Sequence, residues 1–332
     1  TGIPSQPPYN TLSKIIPDLI PDSTLPYPLN NSWGYHDACT GNGRYDRYYN
    51  AMTERYGSPT SLRDFSSKMQ LLNAGGYRAI FEAAGHKLNA TGGVMLWKLN
   101  AAFPSVIWQI YDWYLEPNAG YYFMQRACEP VHIQLNLDDS SVALINRTYS
   151  KRPGLQYQVS VIGMDGSPLF SQAGYADLDT TDTKEVLSIR DVLLKTEGIS
   201  FVVLRLKDKE GHPVSSNVYW MSPGHHFTDL VKMPAATVDF KVLDAARKGG
   251  YQSWTIQFRN HSSGLAFFLN PQIICNGQEV LPSYWSDNYF SIPGGQTVTV
   301  TVSCPLKEMG SARAALRLEG WNIETSSADL MR

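Results

Sequence analysis

This chain is short of charge and of cysteine, and each shortage closes off a class of function. Charged residues make up 17% of its 332 positions, against about 25% in an average soluble domain. The formal net charge is −2 and no long basic run occurs, so the electrostatic footprint of a nucleic-acid binder is missing. No apolar run approaches the ~18 residues of a membrane-spanning helix. The 4 cysteines, Cys39, Cys128, Cys275 and Cys304, lie far apart with no C-x-x-C pair, which excludes a zinc site or a dense disulfide framework. Cys275 and Cys304 fall in neighbouring strand-like segments, where an oxidising compartment allows a pair; two buried thiols are the favoured reading. Neither a metal nor a cofactor is expected. No initiator Met and no signal-peptide pattern stand at Thr1, so the chain is expected to be a processed product or a piece of something longer.

What is present is apolar: 43% of residues are hydrophobic, enough for real cores in two or three domains. The texture changes near residue 130. Before it, Pro7-Pro8 opens a short helix ending near Ile16. A loop with Pro21, Pro26 and Pro28 leads to Trp33-Gly34-Tyr35-His36-Asp37. A helix is expected from about Arg44 to Tyr56, stopped by Gly57 and Pro59. The clearest helix follows, with Ser61 as cap and Asp64 at capping-box spacing. Leu62, Phe65, Met69, Leu72, Ile80 and Ala84 recur at helical intervals up to Gly85. Gly75-Gly76 in its middle implies close packing or a kink, since each glycine costs about 1 kcal/mol relative to Ala. A short strand over 93–97 then delivers the aromatic stretch Trp108 to Tyr114, and a helix runs from Asn118 to about Cys128. Helix, strand, loop, helix is the order of the closing units of a β/α barrel. The 93–115 segment reads either as a barrel strand presenting a sugar platform or as a core strand followed by an aromatic loop.

After Glu129-Pro130 the period becomes two. The runs His132–Leu137, Gln156–Val161, Phe201–Leu206 and Val218–Trp220 form one set. After Pro234 come Trp254–Phe258, Leu265–Leu269, Gln272–Ile274, Val298–Val302 and Ala314–Leu318. Short strands separated by turn clusters describe two consecutive immunoglobulin-like sandwiches, with a boundary near 228–236. Four sequons stand at Asn30, Asn89, Asn146 and Asn260, which matter only in a glycosylating source.

The segment Gly93 to Leu115, G-V-M-L-W-K-L-N-A-A-F-P-S-V-I-W-Q-I-Y-D-W-Y-L, resembles the last barrel strand of glycoside hydrolase family 2 exo-β-D-glucosaminidases. Supporting pieces are W-G-Y-H at Trp33–His36, R-Y-G-S-P at Arg55–Pro59, A-C-E-P-V-H-I-Q-L at Ala127–Leu135, and Tyr284–Phe290 followed by Pro293-Gly294-Gly295. Plant-type mannosylglycoprotein endo-β-mannosidases are similar too, and share the Trp97-Lys98 pair. Leu99-Asn100 and Pro104-Ser105 match the glucosaminidase version, while Phe103 stands where both groups usually have Trp. The resemblance implies the C-terminal portion of a TIM (β/α)8 barrel over 1–130, then sandwiches over 131–230 and 231–332. It implies a retaining mechanism in which one carboxylic acid protonates the leaving oxygen and a carboxylate about 5 Å away attacks the anomeric carbon. Both glutamates would lie on earlier barrel strands, outside this chain, which alone is expected to be inactive. The expected partners are a β-linked oligosaccharide and the remaining N-terminal part of the same enzyme. The expected location is secreted or periplasmic. A β-mannosidase and a non-catalytic carbohydrate-binding protein are the alternatives.

Within that resemblance, Trp97 is the floor under the sugar being cleaved and Asn100 a hydrogen-bonding partner for a hydroxyl or amine. His36, Tyr35 and Trp33 are placed at the pocket, with Trp108 and Tyr111 at its rim or in packing. Asp112 and Glu116, four residues apart, are read as caps or solvated charges rather than an acid/base pair.

Overall fold

The computed structural model describes residues 2–19, 31–37, 44–106, 108–310 and 313–330. The Pro21–Pro28 loop, Asn30 and Cys39 lie outside them. The first region is helical: α1 (Tyr9–Ile15), α2 (Asn31–His36), α3 (Arg44–Tyr56), α4 (Leu62–His86) and α5 (Ala119–Ala127). Ser61 Oγ accepts from Asp64 N at 3.1 Å, which satisfies an orphan donor at the start of α4. Asn118 caps α5 in the same way through Tyr121 N. Gly57, at φ +81°, ends α3 in a conformation that favours glycine. Mid-α4, a Cβ on Gly76 would lie 2.3 Å from Ile3 Cδ1, so Gly76 serves close packing against the incoming chain, while Gly75 faces Trp220 at ordinary contact distance.

The expected barrel portion is not seen. Among the described residues no strand precedes Val131, and the run 93–97 joins no ladder. A strand is defined by a hydrogen-bonded neighbour, and what surrounds this segment is a set of isolated bridges, Asp37 to Val106 and Asn100 to Tyr111.

From residue 131 the chain is antiparallel β. Strands β1 (Val131–Leu135), β2 (Ser141–Asn146), β3 (Arg152–Gly163), β4 (Pro168–Leu178), β5 (Asp182–Ser188), β6 (Ser200–Lys207) and β7 (Pro213–Met221) make two sheets, ordered β1-β2-β5 and β4-β3-β6-β7. Val159 pairs with Leu204 across β3 and β6. Leu155, Val159, Val161, Val202, Leu204 and Leu206 meet Ile133, Leu135 and Leu144 in one buried cluster between the sheets. In β1 every residue is buried because both faces are covered: Ile133 and Leu135 enter that cluster, while Gln134 donates to Glu82 O on α4 at 2.9 Å. A strand covered on one face only would alternate instead.

The remaining strands are β8 (Val238–Lys248), β9 (Tyr251–Asn260), β10 (Ala266–Cys275), β11 (Gln278–Glu279), β12 (Tyr284–Trp285), β13 (Phe290–Ile292), β14 (Thr297–Pro305), β15 (Ala314–Glu319) and β16 (Ser326–Asp329). They form sheets β12-β14-β9-β8 and β11-β10-β15-β16, with β13 also on β10. The sequence suggests separate strands at 265–269 and 272–274, but β10 is continuous. Pro271 pairs with Leu318 of β15 in an unbroken register, and the one irregularity, between Ala266 and Leu269 with Phe268 at φ +56°, lies before it.

Aromatic rings join the three regions: Phe123 of α5 lies 5.8 Å from Trp220 of β7 and 6.0 Å from Phe268 of β10. Arg126 of α5 adds an ion pair with Asp287 and donates to Asn288 O at 2.6 Å. Cys275 and Cys304 are buried free thiols. Two sequon asparagines are core members. Asn146 donates to Ser150 O and Asp179 O, and Asn260 to Gly264 O and Ile292 O, each side chain being 0% exposed. Asn89, past the end of α4, is exposed.

Candidate functional site

The segment 93–118 folds on itself. Lys98 N donates to Trp108 O at 2.9 Å, and Ile110 N and Tyr111 N both donate to Leu99 O. Ser5 Oγ and Asn118 Nδ2 both donate to Gln109 O, at 2.6 and 3.0 Å, so the incoming chain and the cap of α5 hold the loop from two sides. Val106 N donates to His36 O at 2.8 Å, which brings α2 to the same place.

On this scaffold the side chains at 95, 97 and 99 stand in solvent. Met95 is 87% exposed, Trp97 65% and Leu99 57%. The Trp97–Lys98 peptide bond is cis. Asn100 is exposed and its amide donates to Ala101 O at 3.3 Å. His36 Nδ1 is hydrogen-bonded to Pro104 O, a pure acceptor, which fixes the tautomer with the proton on Nδ1. Tyr35 is exposed and sits edge-on to the His36 ring at 5.0 Å. The structure therefore brings His36, with Tyr35 beside it, against Pro104 at the end of the 97–104 run.

Trp33 is different. It is fully buried, 5.0 Å from the Tyr45 ring and 6.2 Å from Phe65. Its indole belongs to the core, because the one-turn helix α2 directs position 33 inward and Tyr35 outward. Trp108 is partly buried against the same core, and the Tyr111 ring lies 5.0 Å from Tyr121.

Asp112 and Glu116 are neither solvated charges nor an open acid/base pair. Both are buried. Asp112 Oδ1 accepts from Tyr114 N and Glu116 N at 2.8 and 2.9 Å, an Asx-type cap, and Thr11 Oγ1 donates to Asp112 Oδ2. Burial pushes both carboxyls up, Glu116 further through repulsion from Glu279 and Asp112. Burial likewise pushes Glu279 of β11 up to about 7, against the pull of Asn10 and Lys14. These acids mark the contact of α1 and the loop with the last sandwich.

A second buried polar cluster carries the E-P-V-H motif, whose role the sequence did not reveal. His132 is 0% exposed and lies between Glu129 Oε2, 2.8 Å from Nδ1, and Glu82 Oε1, 3.4 Å from Nε2. Tyr219 OH donates to Glu82 Oε1 at 2.7 Å and Ser215 Oγ donates to Glu129 Oε2 at 2.5 Å. Burial opposes the charge on His132, but hydrogen bonds and attraction from Glu129 and Glu82 outweigh it and raise its pKa. Arg78 completes the joint, its guanidinium 3.9 Å from the Tyr219 ring centroid and donating to Val218 O at 2.7 Å. The only sequence signal for this network is the density of polar types within Glu129–Asn136, too generic to specify partners 50 to 90 residues away.

Comparison with known proteins gives a consistent picture. A family model described as the exo-β-D-glucosaminidase Ig-fold domain matches residues 217–323, which include all of β8 to β15. The exo-β-D-glucosaminidase of Amycolatopsis orientalis is 29% identical over 322 residues, covering 86% of this chain and 30% of that protein. The mannosylglycoprotein endo-β-mannosidase of Lilium longiflorum is 27% identical over 335 residues, covering 80% of this chain and 34% of that protein. The chain thus spans about a third of the length of these curated relatives. The crystal structure of the Amycolatopsis orientalis exo-chitosanase superposes with a TM-score of 0.87 at 25% identity, over 98% of this chain and 42% of that one.

Proposed function

We propose a function from one premise: the chain is a family 2-type relative of exo-β-D-glucosaminidases and mannosidases, covering a C-terminal portion of them. It is part of a retaining β-glycosidase acting on β-linked glucosamine, and the catalytic glutamates lie outside it. Its helical region belongs to a (β/α)8 barrel completed by the remaining N-terminal part of the same enzyme. The single observation that carries this reading is the exposed apolar run Met95, Trp97, Leu99, at the position where the resemblance places the last barrel strand. Contiguous apolar surface of this kind marks a binding face, and a neighbouring strand plus a bound pyranose would cover it.

In the complete site Trp97 supplies a flat apolar face for the C–H side of the sugar ring. Asn100 offers an amide to a hydroxyl or amine. His36, with its tautomer fixed through Pro104, presents Nε2 as an acceptor, and Tyr35 flanks it. These residues orient the substrate; the acid and the nucleophile act from the missing strands. A secreted or periplasmic location suits an enzyme on polymeric substrate. A mannoside-specific enzyme is the second reading, favoured by the Trp97-Lys98 pair and the likeness to the lily mannosidase.

The pure chain is expected to hydrolyse neither aryl β-glucosaminide nor aryl β-mannoside, and to restore turnover of one of them when combined with its N-terminal part. Hydrolysis by the chain alone would mean the carboxylates are misplaced. In the complete enzyme Trp97→Ala is expected to lower kcat/KM by about 100-fold or more, as loss of substrate positioning does. Near-wild-type kinetics would remove Trp97 from the platform.

A further inference from the structure

We infer a second ligand pocket, for a single neutral pyranose residue, where α1 and α4 meet the last sandwich. It is built only from residues outside 93–118 and does not depend on the glycosidase reading. A cavity of about 140 Å³ opens between Tyr9, Arg63, Asn270, Gln272, Glu319 and Trp321. One water needs about 10–15 Å³ of such space, so the volume suits a ligand on the order of ten non-hydrogen atoms, the size of one sugar ring.

The lining chemistry selects among ligands of that size. The only charged side chains among the described lining residues are Arg63 and Glu319, and they neutralise each other at 3.6 Å. A net-charged ligand therefore gains no net attraction. The pair instead sets donors beside acceptors at the mouth, the arrangement that adjacent hydroxyls require. Arg63 also lies over the Tyr9 ring at 4.0 Å, which holds its fork in place. Trp321 Nε1 donates to Leu230 O at 2.9 Å, fixing the indole so that its carbon surface, not its N–H, faces the space.

The pointer to a ligand lies deeper. Gln272 of β10 is 3% exposed, lines the cavity, and its Oε1 has no hydrogen-bond partner among the described residues. Buried acceptors are rarely left in that condition. A hydroxyl reaching past the Arg63–Glu319 pair would donate to it, while the half-buried Asn270 amide stands ready for a second hydroxyl.

The test is saturation-transfer NMR on the 332-residue chain with methyl β-D-glucopyranoside, methyl β-D-mannopyranoside and a β-1,4-linked neutral tetrasaccharide. At least one should bind with Kd of about 1–10 mM. Stronger binding of a methyl glycoside identifies a free or terminal sugar as the ligand, and stronger binding of the tetrasaccharide a residue within a chain. Gln272→Leu should weaken binding about tenfold, the loss of one hydrogen bond. Arg63→Ala, at an exposed position that leaves folding intact, should weaken it similarly. No transfer with any of the three sugars, or unchanged affinity in both pocket variants, would overturn the proposal. The last outcome would assign the signal to another surface, and failure of the pocket leaves the glycosidase reading untouched.

Discussion

The helical region and the sandwiches both contain short apolar runs, with opposite results. In β6, Val202, Leu204 and Leu206 are at most 1% exposed; in the 95–99 run, Met95, Trp97 and Leu99 are more than half exposed. Both runs are apolar, unbroken over Val94–Trp97 and over Phe201–Leu204. What differs is the neighbour: β6 has β3 on one side, β7 on the other and a facing sheet, whereas 95–99 belongs to no sheet among the described residues. A pattern of apolar residues specifies which face must be covered, and the cover itself is supplied by other parts of the fold.

The largest effect that tests this contrast is truncation on the two sides. Leu204→Ala should destabilise the chain by about 2–5 kcal/mol in a denaturant titration, as buried Leu truncations do, while Leu99→Ala should change it by less than about 0.5 kcal/mol. Equal losses would mean that the 95–99 run is packed in solution.

Next comes pH, which probes the joints between the two regions. Glu279 holds its proton more tightly in the folded chain, so its contribution is full below its ordinary pKa of 4.5 and is lost as pH rises to about 7. One pKa unit is worth about 1.4 kcal/mol, which puts this loss on the order of 3–4 kcal/mol. His132, also raised, acts in the same direction: its contribution is full below its ordinary value of 6.5 and declines as pH climbs through the folded pKa. Facing it are Glu82 and Arg78 from α4, Glu129, Arg147 after β2, and Tyr219 of β7. Melting temperature should therefore fall from pH 5 to pH 8, and His132→Gln should flatten the upper part of that slope. A profile that rises over this range would show that neither joint takes up protons on folding.

The smallest effect is Ser61→Ala, which removes the α4 cap and should cost about 1 kcal/mol in the same titration. No change would mean that packing of α4 beneath β1 and β2 alone fixes where the helix begins.

Legibility follows the same division. Helices α3, α4 and α5 and the core of most strands could be read directly, because caps, glycines and apolar spacing act locally. Strands such as β4 and β8 escaped notice: their burial is one-sided or slight, so periodicity was weak and pairing decided. Trp33 and Tyr35 look alike in the sequence, and only the rotation of a one-turn helix sends one inward and the other outward. Of the two readings of Asp112 and Glu116, the cap holds for Asp112 and the solvated charge for neither, because a carboxylate's burial depends on α1 and β11, some 100 and 160 residues distant. The His132 cluster was hidden for the same reason.

The asparagines give a last consequence. With their amides consumed as struts inside the sandwiches, Asn146 and Asn260 are unreachable by an oligosaccharyltransferase once the protein has folded, although both lie in acceptor tripeptides. Asn89, on the turn beyond α4, has no such engagement among the described hydrogen bonds. Produced in a eukaryotic secretory host, the chain should carry an endoglycosidase-removable N-glycan at Asn89 and none at Asn146 or Asn260.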